Sequence, residues 1–454
     1  PSVVTDPYGD RSVWRIAAPM TLSSISVPLL GMVDTAVMGH LGDAWYMGAV
    51  AAGSMIFSVL FMGLNFLRMG TTGITAQAHG AGNSDAMRAG LGQPFVMALF
   101  LAGLLILLQK PLIDAALTLI DPSAAVAESA AEYFRIRIWS SPAALCNFVI
   151  VGWLLGMQNA RGPLVMTLTI NLSNIVLDLW FVIGLGMKVE GVAIASVIAE
   201  VLGVAIGLAF VARELARHEG HWNWVDLLEP DRYRRLFSIN SNLLLRTLAL
   251  MFTFAFITAQ GARMGDVILA ANALLINFQY FLSYALDGIA LAAEALTGKA
   301  IGSKNDAGLR EVVGRTLRWS LIFAAGFTGV YYVAGTEIID LQTNIPAVRE
   351  TARIYLPWLI ASPLISVWSF FYDGVFVGAT RSREMRIVMT ASVLLVFLPV
   401  WYIFRDTGNQ ALWLAFMSFM VVRGAAMHVW YRYLLRTNAF LPAAGNGAGH
   451  PYKR

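Results

Sequence analysis

The chain has 454 residues, 57% of them hydrophobic and only 13% charged, with a mean hydropathy of +0.64; a soluble domain carries about 25% charged residues, so the water-soluble classes are excluded. The net charge of +4 and pI near 9.2 do not indicate nucleic acid, because the basic residues are dispersed among loops and form no stripe. The single cysteine, Cys146, excludes an internal disulfide and argues against a cysteine metal centre.

The opening stretch, Pro1 to Arg11, is short and polar, and the apolar segment behind it lacks a small-residue cleavage site, so no removable signal peptide is expected. Charge-poor stretches long enough to cross a hydrocarbon core of about 30 Å then recur to the end of the chain. The pattern predicts twelve helical spans, at about 12–38, 46–70, 89–109, 127–152, 163–185, 190–212, 235–259, 267–298, 314–335, 347–374, 386–404 and 410–435. The alternation of a transmembrane barrel is missing, so the predicted class is an all-α polytopic membrane protein. An even count puts both termini on one side. Eighteen Lys and Arg fall in one set of alternate loops and six in the other, which predicts cytoplasmic termini.

The stretch from Pro19 to Asp43, which includes most of the first span, carries prolines at 19 and 28 and one carboxylate, Asp34, where lipid or protein is expected to surround it. An ionisable group inside a span is by default a functional-site hypothesis. In the fifth span Asn174 and Asp178 lie four residues apart and share a face, and Ser196 on the sixth is placed to join them. Together with Asp34 they would supply two titratable carboxylates with hydrogen-bonding neighbours, as a proton carrier requires. A structural reading stays open beside this one: Asp34 caps a kink near Pro28 and Asp178 is a satisfied acid. Glu200, near the end of the sixth span, reads as interfacial or structural.

The longest polar interruption, Arg213 to Arg235, divides the chain into halves that echo each other. Gly42-Asp43 recurs as Gly265-Asp266, AQAHGAG (76–82) as TGKAIG (297–302), and Tyr133, Ser141-Pro142, Gly152 and Gly156 as Tyr355, Ser362-Pro363, Gly374 and Gly378. Such ordered repeats at nearly one offset predict two pseudo-symmetric six-helix lobes. The expected division is an N-terminal lobe at 1–212, a cytoplasmic linker at 213–234 and a C-terminal lobe at 235–436. The Gly/Ala-rich stretch 437–454 reads as a disordered tail or an expression remnant.

In the second half Asp287 and Glu294 are seven residues apart and face roughly the same way, with Arg246 and Lys299 as candidate counter-charges. Asp373, in WSFFYDG, reads equally as a structural acid or as a contact for a cation. Gly298-Lys299 lacks the rest of a phosphate-binding loop, and the six histidines include no metalloprotease pair. No cofactor or metal is therefore expected.

The segments VDTAVMGHLG (33–42), YFRIRIWSSPAALCNFVIVGWLLGMQNAR (133–161), GLGMKVEGVAIASVIAE (184–200) and DGIALAAEALTGKAIG (287–302) carry a specific resemblance. Across residues 10 to 436 the chain resembles the DinF branch of the multidrug and toxic compound extrusion (MATE) family. The resemblance implies a twelve-helix secondary transporter, not an enzyme, with two six-helix lobes around a central cleft, exporting cationic or lipophilic small molecules in exchange for H⁺ or Na⁺. It implies that Asp34 is the principal coupling residue, that Asn174, Asp178 and Ser196 are its polar partners, and that the first helix bends at Pro19. Sodium-coupled relatives of the NorM type place a glutamate in the seventh span opposite an aspartate in the tenth. Here the seventh span has Arg246 and no acid, which favours H⁺, although some sites of this N-lobe type also take Na⁺.

The reading is a proton-coupled multidrug antiporter of the bacterial inner membrane, working by alternating access, monomeric, with membrane lipids around it and no nucleic-acid partner. One alternative is Na⁺ coupling. Another is a flippase for a lipid-linked precursor, which predicts a strongly basic central cavity, with only Arg68, Arg135, Arg137, Arg246 and Arg423 in or near spans to build it. A membrane-embedded enzyme or receptor would need a catalytic constellation or sensory domain, and the sequence displays neither.

Overall fold

The computed structural model describes residues 6–38, 44–222 and 227–440, with backbone alone for 28–38 and 44–47. Eleven of its helical stretches are long and apolar enough to cross a membrane, from Gly48–Gly80 through Asn409–Arg436. Helix α1 (Asp10–Met38, 29 residues) precedes them and runs helically through both Pro19 and Pro28. The protein is thus an all-α polytopic membrane protein of twelve spans in two lobes. Side chains such as Phe100 (70% exposed) and Val333 (77%) stand on outer helix faces, as expected where lipid is the solvent.

The second to sixth spans comprise α2 (Ala44–Leu64) with α3 (Phe66–Gly80), α4 (Ser84–Leu107), α6 (Ala124–Arg137) with α7 (Ser141–Gly156), α8 (Arg161–Asp178) and α9 (Val189–Leu215). The spacing did not anticipate α5 (Gln109–Ile120), a short amphipathic helix after the third span, or the 3₁₀ turn Ile138–Ser140 that interrupts the fourth. That turn stands directly before Ser141-Pro142, where proline removes a backbone donor. The seventh to tenth spans are α10 (Pro230–Arg263), α11 (Asp266–Gly302), α12 (Asp306–Gln342) and α13 (Pro346–Gly378). The eleventh joins α14 (Ser382–Ser392) to α15 (Leu398–Phe404), and the twelfth is α16 (Asn409–Arg436).

The repeat is visible in backbone geometry. Asn83 caps α4 by accepting from Ala86 N at 2.9 Å, and Asn305, 222 residues later, caps α12 by accepting from Gly308 N at 2.8 Å. Left-handed residues recur at the same offset: Gly82 and Lys304, Gln158 and Thr380, Gly186 and Gly408. A left-handed residue is what turns the chain at a helix end. Each half also has a π-helical turn in its fifth span, Leu179–Gly184 and Val393–Phe397. The first begins directly after Asp178; π turns often mark functional positions.

Close helix contact repeats too. A Cβ on Gly152 or Gly156 of α7 would meet Arg68 O at 2.4 Å or Thr75 Cβ at 2.6 Å, both on α3. On Gly374 or Gly378 of α13 it would meet Ala290 O at 2.3 Å or Glu294 O at 2.1 Å, both on α11. Small residues four apart let helix backbones approach where no hydrophobic effect drives association.

Two compact units emerge, one of Leu22–Leu236 and one of the chain up to Thr21 together with Phe237 onward. The expected lobes at 1–212 and 235–436 keep α1 whole in the first, whereas here its first turns fall in the second unit, with the second half of the chain. Asp10 accepts from Trp319 Nε1 at 2.9 Å and from Arg318 and Arg315 at 2.8 and 3.1 Å, Trp14 packs edge-on against Trp319, and Gly288 lets Ala17 and Thr21 press against α11.

Candidate functional site

In the Leu22–Leu236 unit, α8 presents Asn171, Asn174 and Asp178 on one buried face, at 8%, 4% and 1% exposure. The 3.6-residue period aligns them, and α9 brings Ser196 (5% exposed) against the same face. The amide orientation that satisfies both ends of Asn174 donates from Nδ2 to Asp178 Oδ2 at 3.0 Å. Its oxygen then accepts from Ser196 N at 3.2 Å and Ser196 Oγ at 3.1 Å.

Ser196 in turn accepts from Arg137 Nη1 at 2.8 Å, and the same nitrogen donates to Tyr133 Oη at 2.7 Å. Ser54 Oγ reaches Tyr133 Oη at 3.0 Å. The guanidinium lies over Phe57, 4.6 Å from the ring centre. Glu200, one helical turn beyond Ser196, accepts from Asn147 Nδ2 at 2.8 Å. Asn171 donates to Ser26 Oγ of α1 at 2.9 Å. A continuous polar chain therefore runs from Asp178 to Ser54 through four helices. It brings together three predicted residues, Asn174, Asp178 and Ser196. Asp34 lies on α1, but its side chain is outside the described residues; Pro19 is half-buried within the helix.

Sequence reasoning did not assign Arg137 and Tyr133 to this site. Their signal was available: a tyrosine and an arginine four residues apart inside a span share a face, and a cation in a span needs partners.

In the other unit Asp373 of α13 is held by two arginines at one oxygen. Arg246 of α10 and Arg423 of α16 both donate to Oδ2. Arg246, a candidate counter-charge for Asp287 and Glu294 in the sequence, is bonded here to Asp373. Asp287 is exposed on α11, and Glu294 is buried on it. A carboxylate shared by two guanidiniums sits in a net positive surrounding. Nearby, Gln279 of α11 bonds Ser362 and Ser366 of α13, and Asn272 and Asn409 exchange reciprocal amide bonds at 2.7 and 2.9 Å.

The MatE family model matches residues 19–180 and 243–403, most of both halves. The chain belongs to the MatE family. It is 43% identical over 428 residues to the DNA damage-inducible protein F of Escherichia coli K12, covering 93% of this chain and 92% of that one. It is 24% identical over 432 residues to the probable multidrug resistance protein NorM of Thermotoga maritima, covering 91% and 90%. Among solved structures, the Vibrio cholerae MATE transporter VcmN in its bent form matches with a TM-score of 0.84 at 22% identity, covering 95% and 98% of the two chains. A MOP superfamily transporter from Pyrococcus furiosus matches with 0.85 at 17% identity, covering 95% and 96%. At such identities the structural likeness concerns the fold. As a MatE protein the chain is a multi-pass transporter of the multidrug efflux family, not an enzyme.

Proposed function

We propose that the protein is a proton-coupled multidrug efflux antiporter of the bacterial inner membrane, with both termini in the cytoplasm. The observation that carries this reading is the buried Asp178–Asn174–Ser196 chain within the Leu22–Leu236 unit. A carboxylate kept at 1% exposure and bound to an amide is poised to exist in either protonation state, because the amide neighbour can rearrange to serve each. Asp34 on α1 is the second carboxylate of the cycle. Substrate, a cationic or lipophilic small molecule, occupies this lobe while the acids are ionised; protonation from outside rearranges α1 near Pro19 and releases it. The proton leaves to the cytoplasm after the lobes reverse. Coupling of this kind needs the substrate to bind the two states unequally, since a ligand with equal affinity for both shifts nothing.

The acid at Asp373 is engaged by Arg246 and Arg423, which supports H⁺ over a sodium site in the second half. The test is efflux of a fluorescent cationic dye from proteoliposomes under an imposed pH gradient without Na⁺. Wild-type transport that disappears in Asp34→Asn and Asp178→Asn is the expected result. Transport that appears only with a Na⁺ gradient overturns proton coupling, and no dye transport under either gradient moves lipid-linked substrates to the front.

A further inference from the structure

We propose that Arg246 and Arg423 form an anion subsite, which takes a monovalent anion such as the carboxylate of an amphipathic molecule or a free halide. The inference goes beyond the cation-exporting reading above. Three helices, α10, α13 and α16, bring two guanidiniums and one carboxylate to a single point inside the membrane-spanning region. The side chains of Arg246, Asp373 and Arg423 are 11%, 14% and 2% exposed. Both arginines donate to the same atom, Asp373 Oδ2.

Among the described residues the charges tied at Asp373 Oδ2 do not balance: two cations meet one anion, a surplus of one positive charge. A surplus buried charge is costly unless an opposite charge joins it. Arg246 supplies a second, independent sign. Its Nε is buried and has no hydrogen-bond partner among the described residues. A guanidinium presents its donors as a planar fork suited to a carboxylate, and one tine of this fork is unused. A purely structural tie between α13 and its neighbours needs only one arginine per aspartate, and it explains neither the surplus charge nor the unused donor. Arg246 and Asp373 keep a small fractional exposure, while Arg423 is enclosed.

The experiment uses the full-length purified protein in dodecyl maltoside and two fluorescent probes with the same apolar body, pyrenebutyrate and pyrenebutanol. Energy transfer from the protein's tryptophans to pyrene reports binding, without any ion gradient, so failure of proton coupling leaves this test intact. Wild type is expected to prefer the carboxylate over the alcohol by roughly tenfold, the scale of one added charge-assisted hydrogen bond. Arg246→Gln leaves Asp373 and Arg423 as a balanced pair, and the preference is expected to vanish. Asp373→Asn raises the surplus charge and is expected to increase the preference several-fold, a direction that a structural role does not produce. Should either variant fail to fold, the other still decides. Equal binding of the two probes by wild type, a preference unchanged in Arg246→Gln, or one lowered in Asp373→Asn overturns the proposal. Sodium chloride distinguishes the sources: displacement of pyrenebutyrate that depends on Arg246 supports a halide seat, and a preference insensitive to chloride supports an organic carboxylate.

Discussion

Arg137 Nη1 donates to Ser196 Oγ across 2.8 Å, joining residues 59 positions apart and placing a guanidinium within the chain that leads to Asp178. The same nitrogen holds Tyr133, and the ring of Phe57 lies beneath the guanidinium. The acid-bearing lobe therefore contains its own cation, tethered at a distance from Asp178 by two intervening polar side chains.

Arg137→Gln removes that tether while keeping a donor. Loss of charge-assisted bonds in a partly buried setting is expected to cost about 1–3 kcal/mol, seen as a lowered thermal unfolding midpoint. Arg137→Lys keeps the charge but cannot present a planar fork, and it should lie between the two. An unfolding midpoint equal to wild type in Arg137→Gln would remove the arginine from the network.

Asn174→Ala leaves the buried carboxylate of Asp178 without its amide donor. The expected destabilisation is about 1–3 kcal/mol, with gradient-driven dye efflux lost as well. Asn174→Asp is the informative companion, because it preserves shape while adding a carboxylate beside Asp178. Its efflux should depend on pH differently from wild type, which the same proteoliposome assay measures across pH.

Gly378 faces backbone. An added methyl group would come within 2.1 Å of Glu294 O, and backbone cannot step aside as a flexible side chain can. Gly378→Ala is expected to destabilise by about 1–3 kcal/mol. Gly63→Ala meets nothing within 4 Å and should be neutral or stabilising by up to about 1 kcal/mol from helix propensity alone. Detergent-solubilised thermal melts of both variants test the contrast; equal melts would contradict the close packing.

Asp10, at the start of α1, has its carboxyl held below the usual carboxylate range, chiefly by the Trp319 hydrogen bond and then by the guanidiniums of Arg318 and Arg315. A depressed acid stabilises the fold above its unfolded-state value, near 3.8, and the contribution disappears as pH falls through the lower folded-state value. The anchoring of α1 to α12 is thus intact at neutral pH and weakens only in strong acid. Asp10→Asn should mimic the acid form at pH 7. Because the site faces solvent, the effect is small, under about 1 kcal/mol, and is best read as faster proteolysis near Tyr8. Proteolysis that quickens already between pH 7 and pH 5 in wild type would place the anchor elsewhere.

Much of this protein was legible in its sequence because a bilayer imposes local rules. A span must be helical and about 20 residues long, so apolar length alone placed the spans, and the twelve-span order follows. The repeat was equally local: turn residues, caps and close-packing glycines recur because each does the same backbone task in both halves. The shared face of Asn174 and Asp178 came from helical period. Tertiary structure decided what period cannot reach. Arg246 lies 127 residues from Asp373, and Arg423 lies 50. Which carboxylate a buried cation meets depends on which helices pack together, and several acids were equally available along the chain. Arg137 joined the Asp178 chain for the same reason, through α9. The allegiance of the first turns of α1 to the second half was likewise unreadable, since the tryptophan and arginines that hold Asp10 lie some three hundred residues away.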